Sequence, residues 1–293
     1  MPAVASVGTF SQLGIAASWP TSPKGFEFLS ESVRKNSAII DTQGIRATRS
    51  HIVERTRTGP YTVSGSIRMM PGGVELDNIL PYIMGAGSNP TYTLAETIPA
   101  FDLCVDRVAK VFTYTGCKVT KATFSASEGQ PMELNIDVEG LTETVGNAAS
   151  YPSVTLSTMA PYVMMDCALT ALSSSRQIKE WELTIENVPD ADRFLNTSSR
   201  TEIPIIDRMV TFRFVVPFNS DNTDLYNQAL AGAAATLVLT NGALSLTFTM
   251  AALQIPATGP TVNSKGEIVL ELAGQVRKSS STLELVIAND STP

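Results

Sequence analysis

The residues able to do chemistry are few in this chain. It has one histidine, His51, three cysteines, Cys104, Cys117 and Cys167, and carboxylates spread along its length. A serine or cysteine hydrolase would have to be built around His51. No Gly-x-Ser-x-Gly, P-loop or Gly-x-Gly-x-x-Gly pattern is present. A histidine-based metal site needs more than one histidine, and the cysteines lack the close spacing of a zinc or redox motif. They read as free thiols in a reducing compartment. Paired carboxylates can do acid–base work, but here they lie on alternating positions where an acid commonly solvates a sheet. The expectation is a protein that is not an enzyme and carries no cofactor or metal.

The acids belong to strands. In 132–140, Met132, Leu134, Ile136 and Val138 alternate with Glu133, Asn135, Asp137 and Glu139. This is the period-two pattern of a half-buried strand. The same alternation sets Trp181, Leu183 and Ile185 against Glu182, Thr184 and Glu186. It sets Phe212, Phe214 and Val216 against Thr211 and Arg213, and Ile268, Leu270 and Leu272 against Glu267, Val269 and Glu271. Further strands are predicted at 101–106, 110–126, 153–158, 162–169, 236–240, 244–250 and 282–287. Helical spacing occurs at 74–84, where Pro81 should kink or split the helix, and at 220–232.

The chain of 293 residues is 43% hydrophobic and 17% charged, enough apolar mass for a real core. With 19 Gly, 17 Pro and a net charge of −7, it is a turn-rich, acidic β composition. A nucleic-acid-gripping protein usually shows a basic patch, and any meeting with DNA should be loose. No stretch approaches the length of a membrane span.

Three stretches resist a strand reading. Residues 1–25 look like an N-terminal arm, with Trp19 either anchoring it on a neighbour or packing within the chain. Residues 34–62 look like a long loop or extended arm, which in compact domains is usually functional or disordered. Residues 143–152 look like a linker. Across that linker the order of elements recurs. "FEFLSESV" (26–33) and "WELTIENV" (181–188) each lead to a strand ending in Pro, a helix ending in Gly, and strands ending in Gly. One domain over 26–142 and a second over 153–293 would follow, or one large sandwich whose halves look alike.

Residues 24–142, above all the Ser-Glu-Ser run, the Arg-rich arm "RATRSHIVERTR", "VSGSI" and "YTGCKV…ELNIDVEG", resemble the major tail tube proteins of long non-contractile phage tails. The resemblance implies a mainly β fold, a tube-type sandwich or small barrel with a flanking helix. It implies a structural virion protein whose domains join edge to edge in rings that stack into a conduit for double-stranded DNA. Three double-domain chains per ring are favoured, with six chains as the alternative. Arg46, Arg49, His51, Glu54, Arg55 and Arg57 are candidates for contact with the next ring. Glu133, Asp137, Glu139, Glu267 and Glu271 are candidates for an acidic wall of the lumen, the alternative being an outward, solvated face. The implied partners are further copies of the chain, a tape-measure protein in the lumen, and tail terminator and tail-tip proteins; DNA passes without specific binding. A different virion module, at the tail tip or as a decoration, and a soluble ligand-binding sandwich remain as alternative readings.

Overall fold

The computed structural model describes every residue except 1–5, 42–43, 46, 148–149, 172, 191, 228–231, 257–258, 261, 263–264, 281–282 and 292–293. In the first half the strands are β1 (Gln12–Ala16), β2 (Lys24–Phe26), β3 (Ser30–Glu31), β4 (Arg34–Asp41) and β5 (Thr56–Met69). Helix α1 (Gly73–Met84) follows, then β6 (Gly85–Ser88), β7 (Thr91–Leu94), β8 (Phe101–Asp106), β9 (Lys110–Ser127), β10 (Glu133–Gly140) and β11 (Thr142–Asn147). The second half has β12 (Cys167–Ala171), β13 (Ser174–Arg176), β14 (Glu180–Pro189) and β15 (Ile205–Pro217), then the short helix α2 (Thr223–Asn227). It ends with β16 (Ala233–Asn241), β17 (Leu244–Gln254), β18 (Val269–Arg277) and β19 (Leu285–Asp290).

All strand pairs are antiparallel, and the fold is mainly β. One sheet runs β4–β5–β10–β9–β14–β15–β18–β17. A second layer, β13–β12–β16–β17–β19–β7–β6, shares β17 with it and folds over its apolar face. Phe248 of β17 meets Phe124 of β9 and Trp181 of β14, with ring centroids 5.3 and 5.8 Å apart. The layers therefore make a sandwich, and the sheet does not close into a barrel.

Strand β9 serves two sheets. Its first half pairs with β8 and β11, in the small sheet β2–β1–β8–β9–β11, and its second half with β10 and β14. Gly116, at φ +61, sits at the changeover, and a side chain there would strike Leu141. Helix α1 buries Leu76, Ile79, Leu80 and Ile83, each of which stabilises by about 1.5–3 kcal/mol. It runs unbroken through Pro81 and stops at Gly85 in the left-handed region. The lost hydrogen bond falls in the last turns, where buried neighbours hold the helix together.

Several expectations change. Of the expected N-terminal arm at 1–25, the first five residues lie outside the described ones and the rest is not free: β1 lies between β2 and β8, with Leu13, Gly14, Ile15 and Ala16 all buried. Within the expected loop or arm at 34–62, Arg34–Asp41 and the start of β5 from Thr56 pair as an extended two-stranded ribbon. Thr142–Asn147, mostly inside the expected linker, pair with β9. Residues 153–158 form no strand; Val154 lies across Gly25 of β2 instead. The stretch 162–169 opens with a 3-10 turn at Met164–Asp166 before β12 begins. The second helix opens with a 3-10 turn at Ser220–Asn222 leading into α2, and 228–231 of the expected span lie outside the described residues.

Candidate functional site

The sheet has one apolar and one polar face. Alternation along β10 buries Leu134, Ile136 and Val138 and turns Glu133, Asn135, Asp137 and Glu139 the other way. Register carries the polar face from strand to strand: Arg68 lies opposite Asn135, Thr123 opposite Asn135 on the other side, Thr184 opposite Thr123, and Thr211 opposite Thr184. Gln275 of β18 follows Thr211. A groove of about 320 Å³ crosses this face between Arg68, Ser125, Ser127, Glu133, Glu180, Glu182 and Arg213.

The arginines on the face are paired with carboxylates. Arg68 donates Nε and one terminal nitrogen to Glu133, at 2.8 and 2.7 Å. Arg213 reaches Glu271 at 2.5 Å and Glu180 at 2.6 Å. Its guanidinium holds the Glu271 carboxyl below the ordinary carboxylate range. Lys121 stands opposite Asp137 on one side and Glu186 on the other. Acids outnumber bases, but each of these cations has carboxylates beside it.

The five predicted acids share this region without forming a bare acidic wall. Glu133 and Glu271 are bound to arginines. Glu267 precedes β18 and pairs with Lys179. Glu139 is bound by Arg200, a buried side chain from the 190–204 segment that folds over this end of the sheet. These partners lie far off in sequence, and alternation alone gives no sign of them.

The order of elements that recurs along the sequence also recurs across the sheet. The first half places β4–β5–β10–β9 side by side; the second places β14–β15–β18–β17. Each set is a long strand (β5, β15) with an earlier strand on one side (β4, β14) and, on the other, the penultimate strand of its half (β10, β18) followed by the one before it (β9, β17), with a helix and a hairpin (β8–β9, β16–β17) preceding that penultimate strand. The ion pairs match. Arg68 faces Asn135, and its partner Glu133 lies two residues earlier; Arg213 faces Ala273, and Glu271 lies two residues earlier. By the same register Ser30, not Glu27, stands where Glu182 stands, since Ser30 faces Arg68 and Glu182 faces Arg213. The echo of "FEFLSESV" in "WELTIENV" is thus out of step with the sheet, and Phe26 belongs to β2. The halves meet along β9 and β14, from Ser127 opposite Glu180 to Lys121 opposite Glu186.

The ribbon extends past the end of β10, held near its base by Lys35 N–H on Glu143 and Tyr61 N–H on the Ser198 carbonyl. β10 leaves β5 at Val63, so the stretch from Thr56 towards Thr62 has only β4 as its ladder partner. His51 Nδ1 meets Asp41 Oδ2 at 2.9 Å. Arg49, Glu54, Arg55 and Arg57 are exposed, and Arg46 lies outside the described residues. Trp19 packs within the chain, on Tyr151 at a ring distance of 5.5 Å, and its backbone N–H donates to Asp102.

Burial pushes the thiols of Cys104 and Cys167 up to about 11 and about 12, and that of Cys117 higher still. Among the described residues, no group of three or more His, Cys, Asp or Glu is placed to hold a metal ion, and no helix is long and apolar enough to cross a membrane.

Comparison with curated proteins gives no match. The family described as phage tail tube protein matches residues 8–276, a span that takes in β1 to β17 and nearly all of β18. The chain belongs to the phage tail tube protein family, and is a structural protein of the virion tail.

Proposed function

We propose that three copies of this chain close into a ring with pseudo-six-fold symmetry, each copy supplying two tube domains, over 26–142 and 153–293. The observation that carries this reading is the internal seam. β14 adds to β9 edge to edge, joining one four-strand set to the next copy of the same order. The outer edges of the joined sheet are β4 and the β17–β18 end, where β17 reaches only Gln254 opposite Gln275. Among the described residues, Val269–Ala273 of β18 have a ladder partner on the β15 side alone. Joining the β3–β4 edge of one copy to this end of the next would repeat the internal seam and use up edges that otherwise invite uncontrolled pairing.

In such a ring the polar face lines the lumen. A row of uncompensated cations would hold phosphates through counterion release. Here paired arginines, hydroxyls and a surplus of carboxylates let DNA slide past, with salt limiting repulsion to about 8–10 Å. The β4–β5 ribbon contacts the next ring. A tape-measure protein fills the lumen before ejection, and terminator and tip proteins cap the tube, which assembles in the host cytoplasm. Imaging of assembled rings tests the reading: three full-length chains around one bore are expected, and six chains around one bore would reject it.

A further inference from the structure

The end of the ribbon and a pocket beside β2 lie at opposite ends of the same strand. β5 runs from Thr56, opposite Asp41 at the ribbon end, to Ile67 and Arg68, opposite Glu31 and Ser30. At 3.3 Å per residue that separation is about 36 Å. The ribbon end displays apolar side chains to solvent: Ile39 is 78% exposed, Val53 75%, and Ile45 fully. Arg49, Arg55 and Arg57 are exposed among them, outnumbering the exposed Glu54. At the other end, a pocket of about 740 Å³ opens between the N-terminal strands and the 154–156 segment. Leu13, Phe28, Leu29 and Leu156 give it apolar walls, and Glu27 gives it free acid, since the Glu31 carboxylate is already taken by Arg107 at 2.7 Å. Leu29 and Leu156 are about half exposed, at 52% and 48%, and Glu27 is exposed.

We propose that this pocket receives the ribbon end of a second copy of the chain, stacked head to tail. The ribbon's apolar-and-basic chemistry complements the pocket's apolar-and-acidic chemistry, and 36 Å of rigid strand keeps a copy from filling its own pocket. Contact between two different surfaces at opposite ends of one molecule is heterologous, so it does not close on itself but propagates. This deepens the tube reading, and rests on it, by naming the socket into which each ring plugs. The socket is made by residues 8–31, the segment that the sequence suggested was an arm.

Two single-cysteine additions test it, Leu29→Cys in the pocket and Val53→Cys in the ribbon. The native thiols at Cys104 and Cys117 are buried and do not compete, and both variants also carry Cys167→Ser, since that thiol is partly exposed. Tubes assembled from a mixture of the two variants and then oxidised should give a disulfide-linked two-chain band severalfold stronger than tubes of either variant alone. Glu27→Lys should abolish tubes while leaving rings, and adding Arg57→Glu should restore them. Mixed tubes that form but yield no such band, or Glu27→Lys chains that stack normally, would overturn the socket and leave the tube reading standing. A wild-type chain that forms neither rings nor tubes at any concentration would overturn both.

Discussion

Asp77 shows how single residues bind the halves together. It lies on α1, and its carboxylate accepts from Tyr92 at 2.8 Å, Asn89 at 2.9 Å and Asn289 at 2.6 Å, and from Ser291. Asn289, fully buried, also donates to the Gly73 carbonyl. Two of these partners come from the C-terminal end of the chain, so one first-half carboxylate anchors β19 against α1 and β7. Asp77→Ala would strand several buried donors, each costing about 1–3 kcal/mol. The expected loss is about 2–4 kcal/mol in urea unfolding, with Asp77→Asn recovering part of it by keeping one acceptor oxygen. A loss under about 0.5 kcal/mol, the range of ordinary surface changes, would mean the network carries no weight. None of this is legible in the sequence, because Asp77 and Asn289 meet only after the sandwich forms.

At the scale of elements, the legible strands were those with one face buried. β10 alternates without exception, and its hydrophobic pattern alone assigned its core face. β1 was missed for the opposite reason at each face: with Leu13 to Ala16 all buried, no alternation remains to be read. β4 was missed because its residues are almost all exposed. Burial on both sides and exposure on both sides both erase the period of two. The ribbon formed by β4 nonetheless has a clear element-level consequence. Beyond Val63 it shares no ladder with β10 and contributes little to the core, so replacing residues 39–57 with a short turn should leave the fold intact. Thermal unfolding should shift by no more than a few degrees, and rings should still form. Stacking of rings into tubes should be lost. A shortened chain that still builds long tubes would assign inter-ring contact to another element.

For the whole molecule, the question is where the polar face points. Its residues are open to solvent in one copy: Glu182 is exposed, and the groove beside it is unobstructed. Only assembly distinguishes a lumen from an outer wall. A cysteine at Glu182→Cys reports the difference, because a tube excludes reagents by size. The substitution removes a carboxylate on a solvated strand position, where changes are usually within about 0.5 kcal/mol, so the chain should still fold and assemble. Unassembled chains should react with a small maleimide and with one carried on a bulky polymer. Assembled tubes should react with the small reagent and resist the bulky one along their length. The arginine–carboxylate pairs at Arg68–Glu133 and Arg213–Glu271 then acquire a shared purpose. They repeat at matching register in both halves, so three copies would set six such pairs around one bore, each cation already occupied when a phosphate passes. If the bulky reagent labels tubes as fast as free chains, the polar face lies outside. The lumen must then be lined by another surface, and the pairing of these charges would serve only the sheet.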